Sequence, residues 1–436
     1  MTDYNKELIS FLDKSPTAFH AIANIKARLE AEGYTELAES AKWELSEGGK
    51  YFVVRNDSSI IAFRTPIFDF TSFMISAAHS DSPAFKVKEN PEIVENGYVK
   101  LNVEGYGGML MAPWLDRPLS VAGRIIVKNG NKYEAKLINV DRDLLLIPNV
   151  AIHMNRDANK GQTWNAQVDM LPVLGSADEV KGSFMRIIAE SAGVSDSDIL
   201  SHDLFLYVRD NGKVWGGSDE YISAPHLDDL QCVYGCLEGF LGAKPSSSVP
   251  ILAVFDNEET GSLSKQGADS TFLEDVLRRI SLASGKDEEG HYRAVSSSFM
   301  VSADNAHAVH PNHPEKADPA NRPAINKGIV IKFNAAQHYT TDAVSCAVYR
   351  DLCESNDIPV QVFTNRSDTR GGSTLGNVSN AHVSLNTVDI GLAQLAMHSC
   401  YETVGARDTK HLVDAMTIFY SKTFRVDAGG SFELLD

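Results

Sequence analysis

Three apolar runs in this chain stop abruptly at residues that bind protons or metals. Residues 73–78 run into His79-Ser80-Asp81, residues 251–255 into Asp256-Asn257-Glu258-Glu259, and residues 299–303 into Asp304. Short, continuously apolar runs bounded by polar residues read as strands buried on both faces. In open α/β sheets, ligands gather beyond the carboxyl ends of such strands. Three separate strands that deliver carboxylate or imidazole at that edge are hard to explain by packing. The 256–259 run is the most telling. Three acids in four positions repel one another, and a counter-charge such as a metal ion relieves that cost.

The rest of the chain supplies the frame for such a sheet. Ser15-Pro16-Thr17 is a helix start, and Ala18, Ala21, Ile22, Ile25 and Leu29 follow at helical spacing until Gly33. Residues 51–54 and 60–63 are further strand candidates. From 251 onward, strand-like runs (251–255, 299–302, 329–331, 360–363) alternate with helical segments, which predicts a mixed sheet covered by helices on both faces. Between about 89 and 217 the texture differs. Residues 124–128, Asn129-Gly130 and 133–138 form a hairpin signal, and 144–148 and 204–208 read as additional short strands. The expectation is therefore an α/β chain with a discontinuous main domain, 1–88 plus 218–436, and an inserted β-rich domain, 89–217. A length of 436 residues fits two domains.

Charge and cysteine usage exclude several classes. The formal net charge is −18, the wrong sign for a nucleic-acid or anionic-membrane partner. The five cysteines include no CxxC pair, which argues against a disulfide framework or a zinc knuckle. The first residues carry no apolar signal region and no later stretch is long enough to span a bilayer, so a cytoplasmic location is expected.

Two more segments complete the chemistry. Pro225-His226-Leu227-Asp228-Asp229 opens a helical pattern, and residues 389–403 read as a helix carrying His398 in an apolar setting. Imidazole with carboxylate suits zinc, cobalt or manganese better than calcium or copper(I). His307, His310 and His313 recur every third residue, but Pro311 and Pro314 break any helix through them; His307 and His310 are expected to tune the loop beside the metal. Gly371-Gly-Ser-Thr-Leu-Gly376 lacks the lysine of a phosphate-binding loop and is expected to approach the substrate pocket.

Taken in order, His79-Ser-Asp-Ser-Pro83, Ser223-Ala-Pro-His-Leu-Asp-Asp229, Asp256-Asn-Glu-Glu-Thr-Gly261, Ser302-Ala-Asp-Asn-Ala-His-Ala-Val-His-Pro-Asn312 and Leu395-Ala-Met-His-Ser399 resemble the M18 family of aspartyl aminopeptidase-type metallopeptidases. The resemblance runs over nearly the whole chain. It implies a two-zinc site in which Asp228 bridges, His79 and Asp304 hold one ion, and Glu259 and His398 hold the other. Asp81 would orient His79, and Glu258 would be the general base. It further implies that His153 reaches a neighbouring subunit's site, that Tyr339 stands near the reacting oxygen, and that Lys332 pairs with an acidic substrate side chain. The partners it implies are peptides with a free amino terminus and other copies of the chain, in a tetrahedral dodecamer built from dimers. Asp229 departs from the asparagine common after the bridging aspartate, and Ala336 and His338 replace basic residues. Two competing functions are a related di-metal peptidase or deacylase and a non-catalytic scaffold on the same fold. The intact Glu258 and ligand set argue against the scaffold.

Overall fold

In the computed structural model, residues 3–369, 371–427 and 429–436 are described. The chain is a mixed α/β protein with two principal sheets. The larger sheet has thirteen strands among the described residues. At its centre, Val249–Phe255, Phe73–His79, Phe299–Ala303 and Asn386–Leu395 lie side by side and parallel. The antiparallel strand Ser59–Thr65 flanks Val249–Phe255.

The period-two rule of a strand explains how this sheet is sandwiched. Leu252 and Val254 face one core with Met74 and Ala78. Helices Ala18–Ala31, Leu227–Gly242, Ala343–Glu354 and Asp408–Tyr420 cover that side. Ile251, Ala253 and Phe255 face a second core with Phe73, Ile75 and Ala77, closed by helices Phe272–Ala283 and Glu288–Ser296. Burial on both faces is why these strands read as unbroken apolar runs.

The second sheet has six strands, all antiparallel where paired, and its strands lie between Ala84 and Val208. The hairpin forms as expected, with Leu119–Asn129 paired to Lys132–Asn139. Its core gathers Phe85, Trp114, Val121, Ile125, Phe184 and Leu204. Lys213–Trp215 pairs instead with Tyr221–Ala224 in the larger sheet.

Two local expectations are corrected. Residues 389–403 are not a helix. Asn386–Leu395 is a strand buried along almost its whole length, and it ends in a turn with Ala396 and His398 at positive φ, 56° and 66°. Those angles can continue neither a helix nor a strand. Residues 144–148 are not a full strand either; Leu145, Leu146 and Ile147 make only single bridges, to Leu119, Val173 and Leu115.

A candidate metal centre at the carboxyl edge of the sheet

Because the four central strands run parallel, their carboxyl ends open on one edge. His79 ends the first and Asp304 follows the last residue of another. The 256–259 acids follow Phe255, and the His398 turn follows Leu395. The helix Leu227–Gly242 begins at the same edge, and its first turn is non-helical at Asp228 and Asp229, with a cis peptide bond between them. The Asp228 carboxylate faces the imidazoles of His79 and His398.

The donors converge. Asp228 Oδ1 lies 3.6 Å from His79 Nε2, and Asp228 Oδ2 lies 3.5 Å from His398 Nε2. His398 Nε2 is also 3.3 Å from Glu259 Oε2. Donor atoms of His79, Asp228, Asp229 and Asp304 all lie within 4.8 Å of one another, as do those of Asp228, Glu259 and His398. Tetrahedral zinc with bonds of about 2.0–2.1 Å spaces its ligand atoms about 3.4 Å apart, so the separations suit shared ions. Asp228 Oδ1, Asp229 Oδ1 and Glu259 Oε1 are buried without a hydrogen-bond partner. Buried carboxylate oxygens left so are costly unless a cation meets them, and the donor set fits that cation.

Protonation follows the same crowding. Burial, then the charges of Asp304, Asp81 and Asp228, raise Glu258 to about 8 against the lowering pull of His79. Burial and Asp228 push Glu259 well above the usual carboxylate range. Burial opposes a charge on His79, but the neighbouring Asp228 and Asp81 carboxylates outweigh it and hold the imidazole pKa high. A cation would displace these protons, because metal ligands bind deprotonated.

Supporting contacts fix the ligands. His79 Nδ1 faces the Asp81 carbonyl at 3.1 Å and its carboxylate at 3.4 Å. The Asp81 carboxylate in turn accepts the backbone N–H groups of Glu258 and Glu259, each at 3.1 Å. Asp229 accepts the His79 N–H at 3.2 Å.

Sequence reasoning missed three supports. Glu402 accepts the N–H of His398 at 2.7 Å and that of Asp228 at 2.9 Å, joining two donors at once. Tyr106 donates to Asp81 at 2.7 Å, and the Gly108 carbonyl accepts from His398 Nδ1 at 2.8 Å. Gly107-Gly108 marks a loop, but nothing in the sequence says what the loop touches.

The remaining expected residues divide. Lys332 is buried at the cluster; its Nζ donates to the Asp304 carbonyl at 2.7 Å and lies 3.7 Å from the Asp304 carboxylate. Tyr339 packs beside it with Phe363, Val330 and Ala393. His153 is exposed on an irregular stretch of the second-sheet region and is not one of the clustered donors. His307 packs edge-on against Phe363, and His310 lies beside His313 with its ring tilted by 37°. Gly376 abuts Ser302 and Asp389, which leaves no room there for a side chain. All five cysteines are buried and free.

This fold, with imidazoles and carboxylates converging at its open edge, carries a candidate centre for divalent metal ions. A family profile described as Aminopeptidase I zinc metalloprotease (M18) matches residues 11–420, and the chain belongs to the M18 family. A probable M18 family aminopeptidase 2 of Clostridium acetobutylicum is 48% identical over 427 residues, covering 96% of this chain and 99% of that protein. One from Pseudomonas aeruginosa (strain UCBPP-PA14) is 42% identical over 430 residues, covering 97% and 99%. Among solved structures, a chain from the cryo-EM structure of the Ape4 and Nbr1 complex superposes with a TM-score of 0.93 at 32% identity, over 96% of this chain and 85% of that one. The S. cerevisiae mApe1 dodecamer matches with a TM-score of 0.83 at 27% identity, covering 96% of both chains. The protein is an M18 aminopeptidase.

Proposed function

We propose that this aminopeptidase removes single residues from peptides with a free amino terminus, using two zinc ions and Glu258 as general base. The observation that carries the reading is the position of Asp228, whose two oxygens face different imidazoles at 3.6 and 3.5 Å. That arrangement suits a carboxylate shared by two ions. His79 and Asp304 would complete one half of the site, and Glu259 and His398 the other; cobalt and manganese suit the same donors.

Held by these residues, two such ions would supply an acidified water and polarisation of the scissile carbonyl. Glu258 takes the water's proton and returns it to the leaving amine. Asp81 holds the His79 ring and the Glu258–Glu259 backbone in register for that step. Tyr339 and a neighbouring subunit's His153 stabilise the charge that develops on the carbonyl oxygen. The exposure of His153 within one chain and the dodecamer named for mApe1 support that exchange; we place the chains in a tetrahedral dodecamer built from dimers. In this reading, residues 89–217 form the inserted domain that pairs subunits, and 1–88 with 218–436 form the peptidase domain. The separate second sheet supports the division.

A preference for amino-terminal Asp or Glu is the finer part of the proposal. It rests on the buried positive charge of Lys332 beside the site, whose Nζ donates to the carbonyls of Asp304 and Asn305 and lies 3.7 Å from the Asp304 carboxylate. The working location is the cytoplasm; no helix among the described residues is long and apolar enough to cross a membrane.

The test is Glu258→Gln with metals quantified. Turnover should fall by about 10²–10⁴-fold, the range typical of lost acid–base catalysis, with two ions per chain retained. Undiminished turnover would remove Glu258 from the mechanism. Cleavage of amino-terminally acetylated peptides would contradict the exopeptidase assignment.

A further inference from the structure

Residues 106–110, where the second-sheet strand Tyr98–Tyr106 ends, are one place where the second-sheet region meets the metal cluster; Cys400, two residues after His398, also donates to the Pro113 carbonyl at 3.2 Å. The seam beside residues 106–110 is not packed solid. A cavity of about 200 Å³, lined by Tyr106, Asp81, Asn257, Lys86 and Arg124 among others, lies there. Direct ties across the seam therefore matter.

This segment makes such ties to the two turns that carry Glu259 and His398, and to Asp81, which faces His79. Tyr106 Oη donates to Asp81 at 2.7 Å and accepts from Asn257 Nδ2 at 2.8 Å. Gly107 has φ +74°, and a side chain there would place its Cβ 3.1 Å from Glu259 Cβ and 3.4 Å from the Glu259 carbonyl. The Gly108 carbonyl lies 2.8 Å from His398 Nδ1. A carbonyl only accepts, so Nδ1 carries the proton, and the Nε2 lone pair is left facing Asp228 and Glu259. Finally, Leu110 N–H donates to the His398 carbonyl at 2.9 Å. His398 itself sits at φ 66°, a backbone state that persists only where the surroundings hold it.

We propose that residues 106–110 are a positioning bridge through which the second sheet fixes the Glu259–His398 half of the metal site, so that occupancy of that half and the conformation of the second sheet are thermodynamically coupled. The inference rests on the two-ion reading above. Coupling is reciprocal by linkage: a distorted second sheet weakens the ion at His398, and loading that ion stiffens the bridge. Tyr106 reaches the His79–Asp304 half through Asp81, whereas residues 107–110 make no direct contact with His79 or Asp304 among those described, so a change at Gly107 acts unequally on the two halves and a change at Tyr106 acts on both.

The experiment uses full-length apoprotein titrated with zinc against a chromophoric chelator, for the wild type, Gly107→Ala and Tyr106→Phe. Wild type should take up two ions. Gly107→Ala should lose about 10–100-fold in affinity for one of them, the range found when groups that orient a ligand are removed, while the other stays within about three-fold. Tyr106→Phe keeps the ring against Phe205 and should also weaken binding, which loss of packing alone would not do. Hydrogen exchange at the Leu110 amide should slow when the wild type is loaded. Wild-type affinities in both variants, or equal weakening of both ions in Gly107→Ala with a lowered melting temperature of the apoprotein, would overturn the bridge and leave the two-ion reading standing. A wild type that takes up no second ion would overturn both.

Discussion

Asp81 illustrates how much of this site is held by groups that need not touch a metal. Its carboxylate faces His79 Nδ1 and gathers the N–H groups of Glu258 and Glu259, so it sets one imidazole and one acid-bearing turn together. Asp81→Ala should therefore weaken zinc binding by about 10–100-fold, read by chelator competition; an unchanged affinity would reduce Asp81 to a turn-former. Protons give a second test at this scale. Glu258 is raised to about 8 and Asp256 to about 7, in both cases first by burial. A carboxylate whose folded pKa lies above its unfolded value stabilises the metal-free protein below that unfolded value, 4.5 for Glu258 and 3.8 for Asp256, and the contribution is lost as pH rises through 7 to 8. Apoprotein stability should thus decline across that window, and zinc binding at pH 7 should release protons. Calorimetry in buffers of different ionisation enthalpy measures the release; proton uptake would contradict these assignments.

The strands that deliver the acids were legible because burial on both faces leaves an unbroken apolar run with an abrupt polar end. The same signature misleads at 389–403. There a buried strand, a tight turn and a second short strand follow one another without a polar break, and periodicity cannot separate a long buried strand from a buried helix. His398 was identified from its resemblance to the family motif, whereas its true setting, a left-handed turn, was not. Glu402 was invisible, since a glutamate at the start of a strand looks like any edge acid. Within that strand, Gly391 predicts a sharp effect. An added Cβ would lie 2.0 Å from the Asp304 carbonyl oxygen, so Gly391→Ala must displace backbone next to a proposed ligand. It should lower both zinc stoichiometry and melting temperature. Leu252→Ala, in the fully buried strand Val249–Phe255, should instead cost about 2–5 kcal/mol of stability in denaturant titrations, with zinc stoichiometry unchanged.

At the scale of the whole molecule, the sequence revealed a change of texture between the two sheets but not the seam that joins them, because residues 106–110 act through backbone groups and one tyrosine. Assembly belongs here as well. The second-sheet region exposes Val150, Ile152, Met154 and Val168 on the stretch that carries His153, an apolar surface that a neighbouring copy would cover. Light scattering should return a mass near twelve chains, and dissociated chains should be inactive if His153 must come from a neighbour. The claim on which all of this depends is that Asp228 lies between two cations. Anomalous diffraction at the zinc edge, from crystals of zinc-loaded protein, addresses it most directly. Two peaks flanking Asp228, one beside His79 and Asp304 and the other beside Glu259 and His398, are the predicted result; a single peak, or none at this edge of the sheet, would contradict it.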